Sequence, residues 1–430
     1  RIDKMQPIYN ELIKMWSDLG YDIPISEGTF WLDNGIIKAF TADGVLHKLY
    51  KYKVNDDLTI QITKHKDNKD TELIFETWNE TLQRNILRLD ELEKESLNLI
   101  STFFEDNPDY EKYVLTSTGK DSMVTLDLVK RVLPNVNVVF NNTSLDTADT
   151  YKMVKSHPDW IILNPKEGFW QWTKRLDFIP TRYSRACCSI FKEGLGDTYY
   201  LNKDIKKLCL IMGIRNDESN KRADREDFSR SPKWNNKRCK DWISMYPIRK
   251  YSDLDVWLYI LRYNVEINIE YKKGFKRVGC IVACPFRSKS TWVLDKYWYP
   301  NLFKRWHNHL EETFKKTNGW FGWNCSIQEF HSCWNGGQIR KNPTDEIIKE
   351  LMEYKGLTDE AVAKQYFNKV CANDGKNIRQ KDILAMNMKL FGRNIEKFKC
   401  KKCLMKEMGW TKENWNEQVE SFKLQGCKLF

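Results

Sequence analysis

The stretch Thr116-Ser117-Thr118-Gly119-Lys120-Asp121-Ser122 follows an apolar segment, Tyr113-Val114-Leu115, and precedes an amphipathic one from Met123 to Val132. This order predicts a strand that runs into a helix through a polar turn. Such a junction points free N–H groups and the positive end of the helix dipole at one place, where phosphate binds. Lys120 adds a mobile cation, so the turn predicts a nucleotide site. An ordinary strand-turn-helix junction is the alternative.

The composition predicts a soluble protein with several domains and an anionic partner. The chain has 430 residues, of which 41% are hydrophobic. It contains no apolar run long enough to span a bilayer and no signal-peptide core, so we expect a cytoplasmic protein without membrane contact. The net charge of +11, from 70 basic and 59 acidic residues, favours a nucleotide or a nucleic acid as partner.

Four regions are predicted along the chain. Residues 1–108 form an accessory α+β region, with alternating segments that suit a small sheet and one long helix from about 71 to 104. Residues 109–300 alternate buried strands with helices, which predicts an α/β fold with a parallel sheet flanked by helices. An aromatic connector over 301–345 and a helical, cysteine-containing region over 346–430 follow.

Further polar segments come after the other predicted strands. Ligands of an open parallel sheet lie just beyond the carboxyl ends of its strands, so these segments are expected to face one site. Arginine side chains there can grip phosphate or sulfate oxygens with two hydrogen bonds. The candidate residues are Arg215, Glu218 and Arg222, together with the cations of the segment 182–192.

Several of these segments resemble, in order, the motifs of the phosphoadenosine phosphosulfate reductase family in the adenine nucleotide α-hydrolase superfamily. Residues 117–122 resemble its PP-loop, Ser-Gly-Gly-Lys-Asp-Ser, with Thr118 in place of the first glycine. Residues 185–192 resemble Arg-x-Cys-Cys-x-x-x-Lys, and residues 213–222 resemble Gly-x-Arg-x-x-Glu/Gln-Ser-x-x-Arg. The resemblance runs from about residue 113 to 290 and implies the PP-loop fold.

The resemblance implies roles for individual residues, with ATP and Mg²⁺ as cofactors. The implied catalytic residues are Lys120, Asp121, Arg185 and Arg215. The implied nucleotide-binding residues are Ser117, Thr118, Gly119, Lys120, Asp121, Ser122, Asn142 and Thr143. The implied substrate-binding residues are Lys192, Glu218, Ser219 and Arg222.

The implied function is that of an ATP pyrophosphatase that adenylates a substrate for sulfur transfer, similar to the DNA phosphorothioation enzymes. DNA or RNA, a sulfur donor and a partner subunit are then the expected partners. One alternative is an adenylylsulfate or phosphoadenylylsulfate reductase with Cys427 as nucleophile, although the Glu-Cys-Gly-Leu-His segment of those reductases is absent. The other is a nucleotide-dependent regulator without turnover.

The twelve cysteines are clustered, which favours metal or redox chemistry over a disulfide scaffold. One set is predicted to lie at converging strand ends and, by resemblance to adenylylsulfate reductases, to hold a [4Fe–4S] cluster; a zinc site and reduced thiols are the alternatives. That set is Cys187, Cys188, Cys280 and Cys284.

A second set of cysteines lies near the end of the sequence. Its Cys-x-x-Cys pair resembles a zinc knuckle, so zinc is predicted, with free thiols or a redox role as alternatives. That set is Cys371, Cys400, Cys403 and Cys427.

Overall fold

The computed structural model describes most of the chain between residues 5 and 424. The described residues are 5–55, 57–68, 73–176, 179–180, 186–218, 222–223, 225–230, 239–316, 348–349, 352–353, 358, 360, 371–376, 378, 380–392, 395 and 397–424. They divide into two compact units, 1–165 with 200–308, and 166–199 with 309–430. Within the described residues, each helix is too short or too polar to cross a lipid bilayer.

The first unit begins with a five-stranded antiparallel sheet. Its strands are β1 (Met5–Pro7), β2 (Trp31–Asp33), β3 (Ile36–Phe40), β4 (Leu46–Val54) and β5 (Ile60–Lys64), paired in chain order. Helix α1 (Asn10–Asp18) buries Leu12, Met15 and Trp16 in the same core as Ile37 and Leu49. This arrangement confirms the α+β character predicted for the N-terminal region.

Two helices replace the single long helix that the sequence predicts from about residue 71. Helix α2 (Trp78–Arg84) begins only after Thr77, which forms a capping box with Glu80. Helix α3 (Ile86–Asp106) then begins after Asn85, whose backbone breaks the helical geometry. Residues 71 and 72 lie outside the described residues. The prediction was wrong about the start and the continuity of this helix because the apolar periodicity continues across a cap.

A six-stranded sheet follows in the first unit. Its strands are β6 (Glu111–Thr116), β7 (Asn137–Asn141), β8 (Ile161–Leu163), β9 (Lys207–Met212), β10 (Phe228–Ser229) and β11 (Asp241–Met245). Their order across the sheet is β10-β11-β9-β6-β7-β8, and only β10 is antiparallel to its neighbour. The mostly parallel sheet confirms the predicted α/β fold class.

Helices lie between and after these strands along the chain. Helix α4 (Lys120–Val132) buries Val124 and Leu128, and α5 (Ala148–Lys155) starts at Thr147, whose side chain accepts a hydrogen bond from the Thr150 N–H. Later in the chain lie α6 (Phe169–Arg175), a π-helix (Cys188–Gly194) and α7 (Leu195–Asn202). Helix α8 (Asp253–Tyr263) begins with a capping box formed by Ser252 and Asp255, and α9 (Lys289–Trp298) and α10 (Pro300–Lys316) follow.

The second unit is helical where it is described. Phe169, Trp172 and Phe191 pack edge to face in its first segment. Its C-terminal segment contains α11 (Lys381–Phe391), α12 (Lys401–Met408) and α13 (Lys412–Leu424). These three helices bear out the helical character predicted for the C-terminal region.

The strand order creates a switch point between β6 and β9. The chain passes from β6 outward to β7 and β8, and then returns to form β9 on the other side of β6. Leu115 near the end of β6 pairs with Met212 at the end of β9, so the two strands end at the same level. Connections leave in opposite directions at such a point and open a crevice there, which is where open α/β sheets bind ligands.

Candidate functional site

The loop after β6 folds back on itself before α4 begins. The Ser122 hydroxyl donates to the Gly119 carbonyl at 2.8 Å and accepts from the Ser117 N–H at 3.3 Å. The Thr118 N–H donates to the Thr116 hydroxyl at 3.1 Å. These short-range bonds fix the backbone of the loop ahead of the first turn of α4, and the N-terminal end of a helix favours an anion.

Thr118 adopts a backbone conformation that normally belongs to glycine. Its φ is +57°, and the residue is fully buried. A left-handed conformation costs an L-residue about 1–2 kcal/mol. The Asn268 amide donates to the Thr118 hydroxyl at 2.9 Å and to the Thr150 hydroxyl at 2.8 Å, which offsets that cost. The loop thus keeps a glycine-like path despite the threonine.

Lys120 is buried and held from three sides. Its Nζ donates to Asp121 at 3.0 Å and to Asp253 at 2.8 Å, and its backbone N–H donates to the Tyr271 hydroxyl at 2.8 Å. Burial, followed by the nearby charge of Asp121, raises the pKa of Tyr271 above its usual range. Lys120 therefore donates a hydrogen bond to a neutral hydroxyl through its backbone and bonds two carboxylates through its side chain.

Arg215 joins the same carboxylates from the neighbouring strand. Its Nε donates to Asp121 at 2.6 Å, and its two terminal nitrogens donate to Asp217 and Asp253. The Tyr251 carbonyl accepts a further bond from Arg215 at 3.3 Å, and the side chain is 4% exposed. One guanidinium thus ties the segments after β6, after β9 and at the start of α8 together.

The charges of this cluster do not cancel. Two cations, Lys120 and Arg215, face three carboxylates, those of Asp121, Asp217 and Asp253. Burial alone would raise the pKa of Asp121, but both cations outweigh it and the pKa is lowered. Burial raises the pKa of Asp217, and the Asp253 charge adds to this against the opposing effect of Arg215. The five side chains therefore carry an excess of acid that a further cation would neutralise.

Gly213 lets the segment after β9 approach α4. A Cβ at this position would lie 2.4 Å from the Asp121 carbonyl oxygen and 2.7 Å from the Ser122 nitrogen. Both are backbone atoms, which cannot swing aside as a flexible side chain can. Only glycine therefore allows the close approach that brings Arg215 to Asp121.

The predicted residues after β7 lie at the tip of the strand next to β6. The Asn142 side chain donates to Asn164 at 2.8 Å and accepts from the Ser144 N–H at 2.8 Å. The Thr143 hydroxyl donates to Asp146 at 2.7 Å, and Cys280 contacts it at 3.7 Å. These residues stabilise the turn at the strand end, and their nucleotide-binding role stays a prediction.

The remaining predicted anion-binding residues fall in different places. Glu218 accepts from the Arg215 N–H at 3.4 Å and pairs with Arg222. Lys192 belongs to the second unit, in the π-helix. Arg185 and Ser219 lie outside the described residues. The structure therefore brings Lys120, Arg215, Asp121 and Glu218 into one set of contacts, and the roles of all the predicted residues stay predictions.

Sequence reasoning missed four side chains that hold the loop and its cations. Two are carboxylates, and two come from the segment after α8; they are Asp217, Asp253, Asn268 and Tyr271. Asp217 lies inside the segment singled out for Arg215, so charge pairing was a usable signal. Asp253 directly follows Ser252, the N-cap of α8. Nothing local marks Asn268 or Tyr271, because their partners are about 150 residues away.

The cysteines predicted to hold an iron–sulfur cluster belong to different units. Cys187 and Cys188 lie in the second unit, at the start of the π-helix. Cys280 and Cys284 lie in the first unit, where the Arg287 side chain donates to the Cys280 carbonyl at 3.0 Å. The cluster stays a prediction.

The predicted zinc ligands come together in part. Cys371, Cys400 and Cys403 lie within 4.8 Å of one another, as measured between their sulfur atoms, and an Asp374 carboxylate oxygen shares the group. Cys427 lies outside the described residues. A cysteine cluster able to hold a metal is therefore present, with one ligand type that the sequence did not predict.

The part of the chain that contains the Lys120 site is similar to known proteins. Residues 111–285 match the family model of the phosphoadenosine phosphosulfate reductase domain. Over these residues the chain is similar to the phosphoadenosine phosphosulfate reductase domain. An uncharacterised protein of Methanocaldococcus jannaschii is 33% identical over 247 residues, which cover 56% of this chain and 58% of that protein. The chain thus spans little more than half the length of this relative.

More distant similarities are to sulfonucleotide reductases. An adenosine 5′-phosphosulfate reductase of a Geobacillus strain is 23% identical over 216 residues, which cover 48% of this chain and 86% of that enzyme. The crystal structure of a phosphoadenylyl-sulfate reductase from Candida auris, solved with phosphate, covers 45% of this chain and 94% of its own at 19% identity and a TM-score of 0.35.

Proposed function

We propose that the chain is an ATP pyrophosphatase that adenylates a substrate for sulfur transfer. The observation that carries the proposal is the shared contact of Lys120 and Arg215 with Asp121 and Asp253 at the switch point of the sheet. A lysine and an arginine on either side of a phosphate-binding loop supply positive charge from two directions. Catalysis of phosphoryl chemistry rests largely on such positioning and charge neutralisation.

The excess of carboxylates supports a nucleotide that arrives with Mg²⁺. Carboxylate oxygens are the hard ligands that Mg²⁺ prefers, and it commonly binds through one or two of them together with phosphate oxygens. Asp121, Asp217 and Asp253 would supply them here. Burial raises the pKa of Asp217, and a bound divalent cation would favour the ionised form of this carboxylate. A sulfonucleotide without a metal would bring only further negative charge.

In the proposed reaction, an acceptor oxygen forms a bond to the α-phosphorus of ATP while the bond to the bridging oxygen breaks. Pyrophosphate leaves with both electrons of that bond. The chain's own part is to hold the phosphates at the loop after β6, with Lys120 and Arg215 stabilising the charge that develops on the leaving group. A sulfur nucleophile then displaces AMP from the activated acceptor. Water in place of the acceptor gives AMP and pyrophosphate.

A nucleic acid is the acceptor class that the overall charge favours. The chain carries a net charge of +11, which suits a polyanionic partner. A sulfonucleotide reductase is the second candidate, because an adenosine 5′-phosphosulfate reductase is among the relatives of this domain. The two functions differ in the ligand that they require, and this difference makes them separable.

Nucleotide binding and turnover test the proposal together. The protein is incubated with ATP, with and without Mg²⁺ and with and without DNA, and AMP and pyrophosphate are measured. Binding of ATP and of adenylylsulfate is measured in parallel by equilibrium dialysis. We expect ATP to bind only with Mg²⁺ and to yield both products. We expect Lys120→Ala to abolish both, because it removes the buried cation of the loop.

Lys130→Ala is the matched control, since Lys130 lies in the last turn of the same helix and forms only an exposed pair with Asp159. This variant is expected to behave as the unmodified chain. Tighter binding of adenylylsulfate than of ATP, with sulfite released on addition of a thiol, would replace the proposal with the reductase. Tight ATP binding without product under any condition would replace it with a nucleotide-dependent regulator.

A further inference from the structure

The C-terminal segment of the second unit has a hydrophobic core of its own. Its described buried residues are Cys371, Ile378, Ile383, Met386, Phe398, Leu404, Trp415 and Val419. Small natural domains commonly add a disulfide or a metal ion to such a core. The three described cysteines of this segment are free. A metal ion is therefore the additional link to look for.

Four side chains of this segment converge at one point. The sulfur atoms of Cys371, Cys400 and Cys403 and a carboxylate oxygen of Asp374 all lie within 4.8 Å of one another. The Cys400 sulfur is 3.4 Å from Asp374 Oδ2. Tetrahedral zinc, with bonds of about 2.3 Å to sulfur, places its ligand atoms about 3.8 Å apart. The group is therefore close to the size of a site for a single ion, and a small contraction would close it.

The local backbone presents the four groups as two pairs with the same spacing. Cys371 and Asp374 flank a tight turn, in which the Gly375 N–H donates to the Cys371 carbonyl at 2.8 Å and Gly375 has a φ of +68°. Cys400 is the N-cap of α12, and Cys403 lies in its first turn. Each pair is separated by two residues, which is the spacing of the two halves of many zinc sites.

The two pairs are fixed to each other by neighbouring hydrogen bonds. The Ala372 N–H donates to the Phe398 carbonyl at 2.7 Å. The buried Asn387 side chain donates to the Lys399 carbonyl at 2.8 Å and accepts from the Lys399 N–H at 2.7 Å. Bonds of this kind orient ligands before the metal arrives and are as characteristic of metal sites as the ligands themselves.

We propose that Cys371, Asp374, Cys400 and Cys403 bind one Zn²⁺ as a closed, four-coordinate structural site. The ligands are three thiolates and one carboxylate, which leaves a net charge of about −2 on the site. The N-terminus of α12 and the Lys376 ammonium group, 3.8 Å from Asp374, partly balance that charge. Cys427 is not required, and the site serves the C-terminal fold independently of the nucleotide site.

Metal content of the full chain tests the site. The protein is produced in zinc-supplemented medium, and zinc and iron are measured by mass spectrometry after removal of loosely bound metal. We expect about one zinc and no iron from this segment. Cys403→Ser should lose the zinc. Asp374→Asn should weaken zinc binding at least about tenfold in competition with a chelator, because even partners of ligands contribute that much.

Two matched variants locate the fourth ligand. Cys427→Ser is the control for the thiols, and Glu417→Gln is the control for the carboxylate, since Glu417 is exposed on α13. Both are expected to keep zinc. Loss of zinc in Cys427→Ser with retention in Asp374→Asn would overturn the ligand set, as would a zinc-free chain. Cobalt(II) substitution gives a second readout, because the absorption of a three-thiolate site differs from that of a four-thiolate site.

Proteolysis separates a structural role from adventitious binding. We expect a chelator to make residues 371–424 sensitive to protease while the peptides of β6 and α4 stay protected. Added zinc should restore the protection in the unmodified chain and not in Cys403→Ser. Equal protection of the segment with and without bound metal would refute the structural role.

Discussion

Removal of the Arg215 guanidinium is expected to loosen the crevice between β6 and β9. The side chain is 4% exposed and bonds three carboxylates, and Arg215→Ala leaves those carboxylates with Lys120 as their one remaining cation within the described site. Breaking a buried ion pair in this way costs about 3–5 kcal/mol. The exposed fractions of the Asp121 and Asp217 side chains, 22% and 24%, allow some hydration. We therefore expect the free energy of local unfolding to fall by about 3 kcal/mol, the lower end of that range.

Hydrogen exchange is the appropriate assay, because a chain of two units has no single unfolding free energy. Amides in peptides covering residues 111–132 and 207–218 should exchange faster in Arg215→Ala by the factor that about 3 kcal/mol implies, roughly a hundredfold or more. Arg262→Ala is the matched control, since its guanidinium pairs at the surface with Asp90, which is 51% exposed. This control should change protection by no more than about 1 kcal/mol.

A double variant tests whether unpaired charge causes the loss. Asp217 pairs with Arg215, so Asp217→Asn in the Arg215→Ala background restores the original charge balance of the site. We expect it to recover about 1 kcal/mol or more, because neighbouring charges couple by about 0.5–3 kcal/mol. Exchange in Arg215→Ala that matches Arg262→Ala would refute the reasoning, and so would strictly additive effects in the double variant.

Two further predictions concern the same crevice. Gly213→Ala places a methyl group 2.4 Å from the Asp121 carbonyl oxygen, so we expect the local stability measured by hydrogen exchange to fall by about 1–3 kcal/mol. We also expect weaker ATP binding in equilibrium dialysis, and unchanged binding would contradict the close approach. The pKa of Asp121 lies below its ordinary 3.8 in the folded chain, so the stabilisation by its carboxylate is present above that value and is lost as pH falls through the folded pKa. Asp121→Asn should therefore lose less stability than the unmodified chain between about pH 5 and pH 3, measured as the protection of residues 111–132 after correction for the intrinsic exchange rate at each pH, and an equal loss would contradict the assignment.

The fold of the reductase-like domain could be predicted because its signals are local. Each element is indicated by residues that are close in the sequence: the strand by the apolar run before Thr116, the turn by Gly119 and the helix by the amphipathic residues to Val132. The structure has β6, the loop and α4 at these places. The start of α2 was mispredicted for a related reason. The capping box of Thr77 and Glu80 interrupts a periodic pattern that continues through it, so periodicity alone extended the helix too far.

The partners of the site residues could not be predicted in the same way. Asp253 reaches Lys120 from a position 133 residues away, and Tyr271 reaches it from 151 residues away. Which side chain arrives there depends on how α8 and the segment after it pack on the sheet, and a single sequence does not record that packing. Asp374 was missed for a different reason, since an aspartate before a glycine is typical of an ordinary turn.

The ion pairs of the site also bear on its selectivity. Lys120 and Arg215 are already paired with the carboxylates of Asp121 and Asp253. A phosphate that binds these two cations therefore gains only the difference between its own ion-pair energy and that of the carboxylates it replaces. A bare anion must break those pairs and leave buried carboxylates without partners, which is costly. A nucleotide that carries a divalent cation exchanges partners instead, with the cation facing the carboxylates and the phosphates facing the lysine and arginine. The extra carboxylate therefore disfavours the binding of small anions. Under the proposed function, we expect sulfate to compete poorly with Mg²⁺-bound ATP for the site.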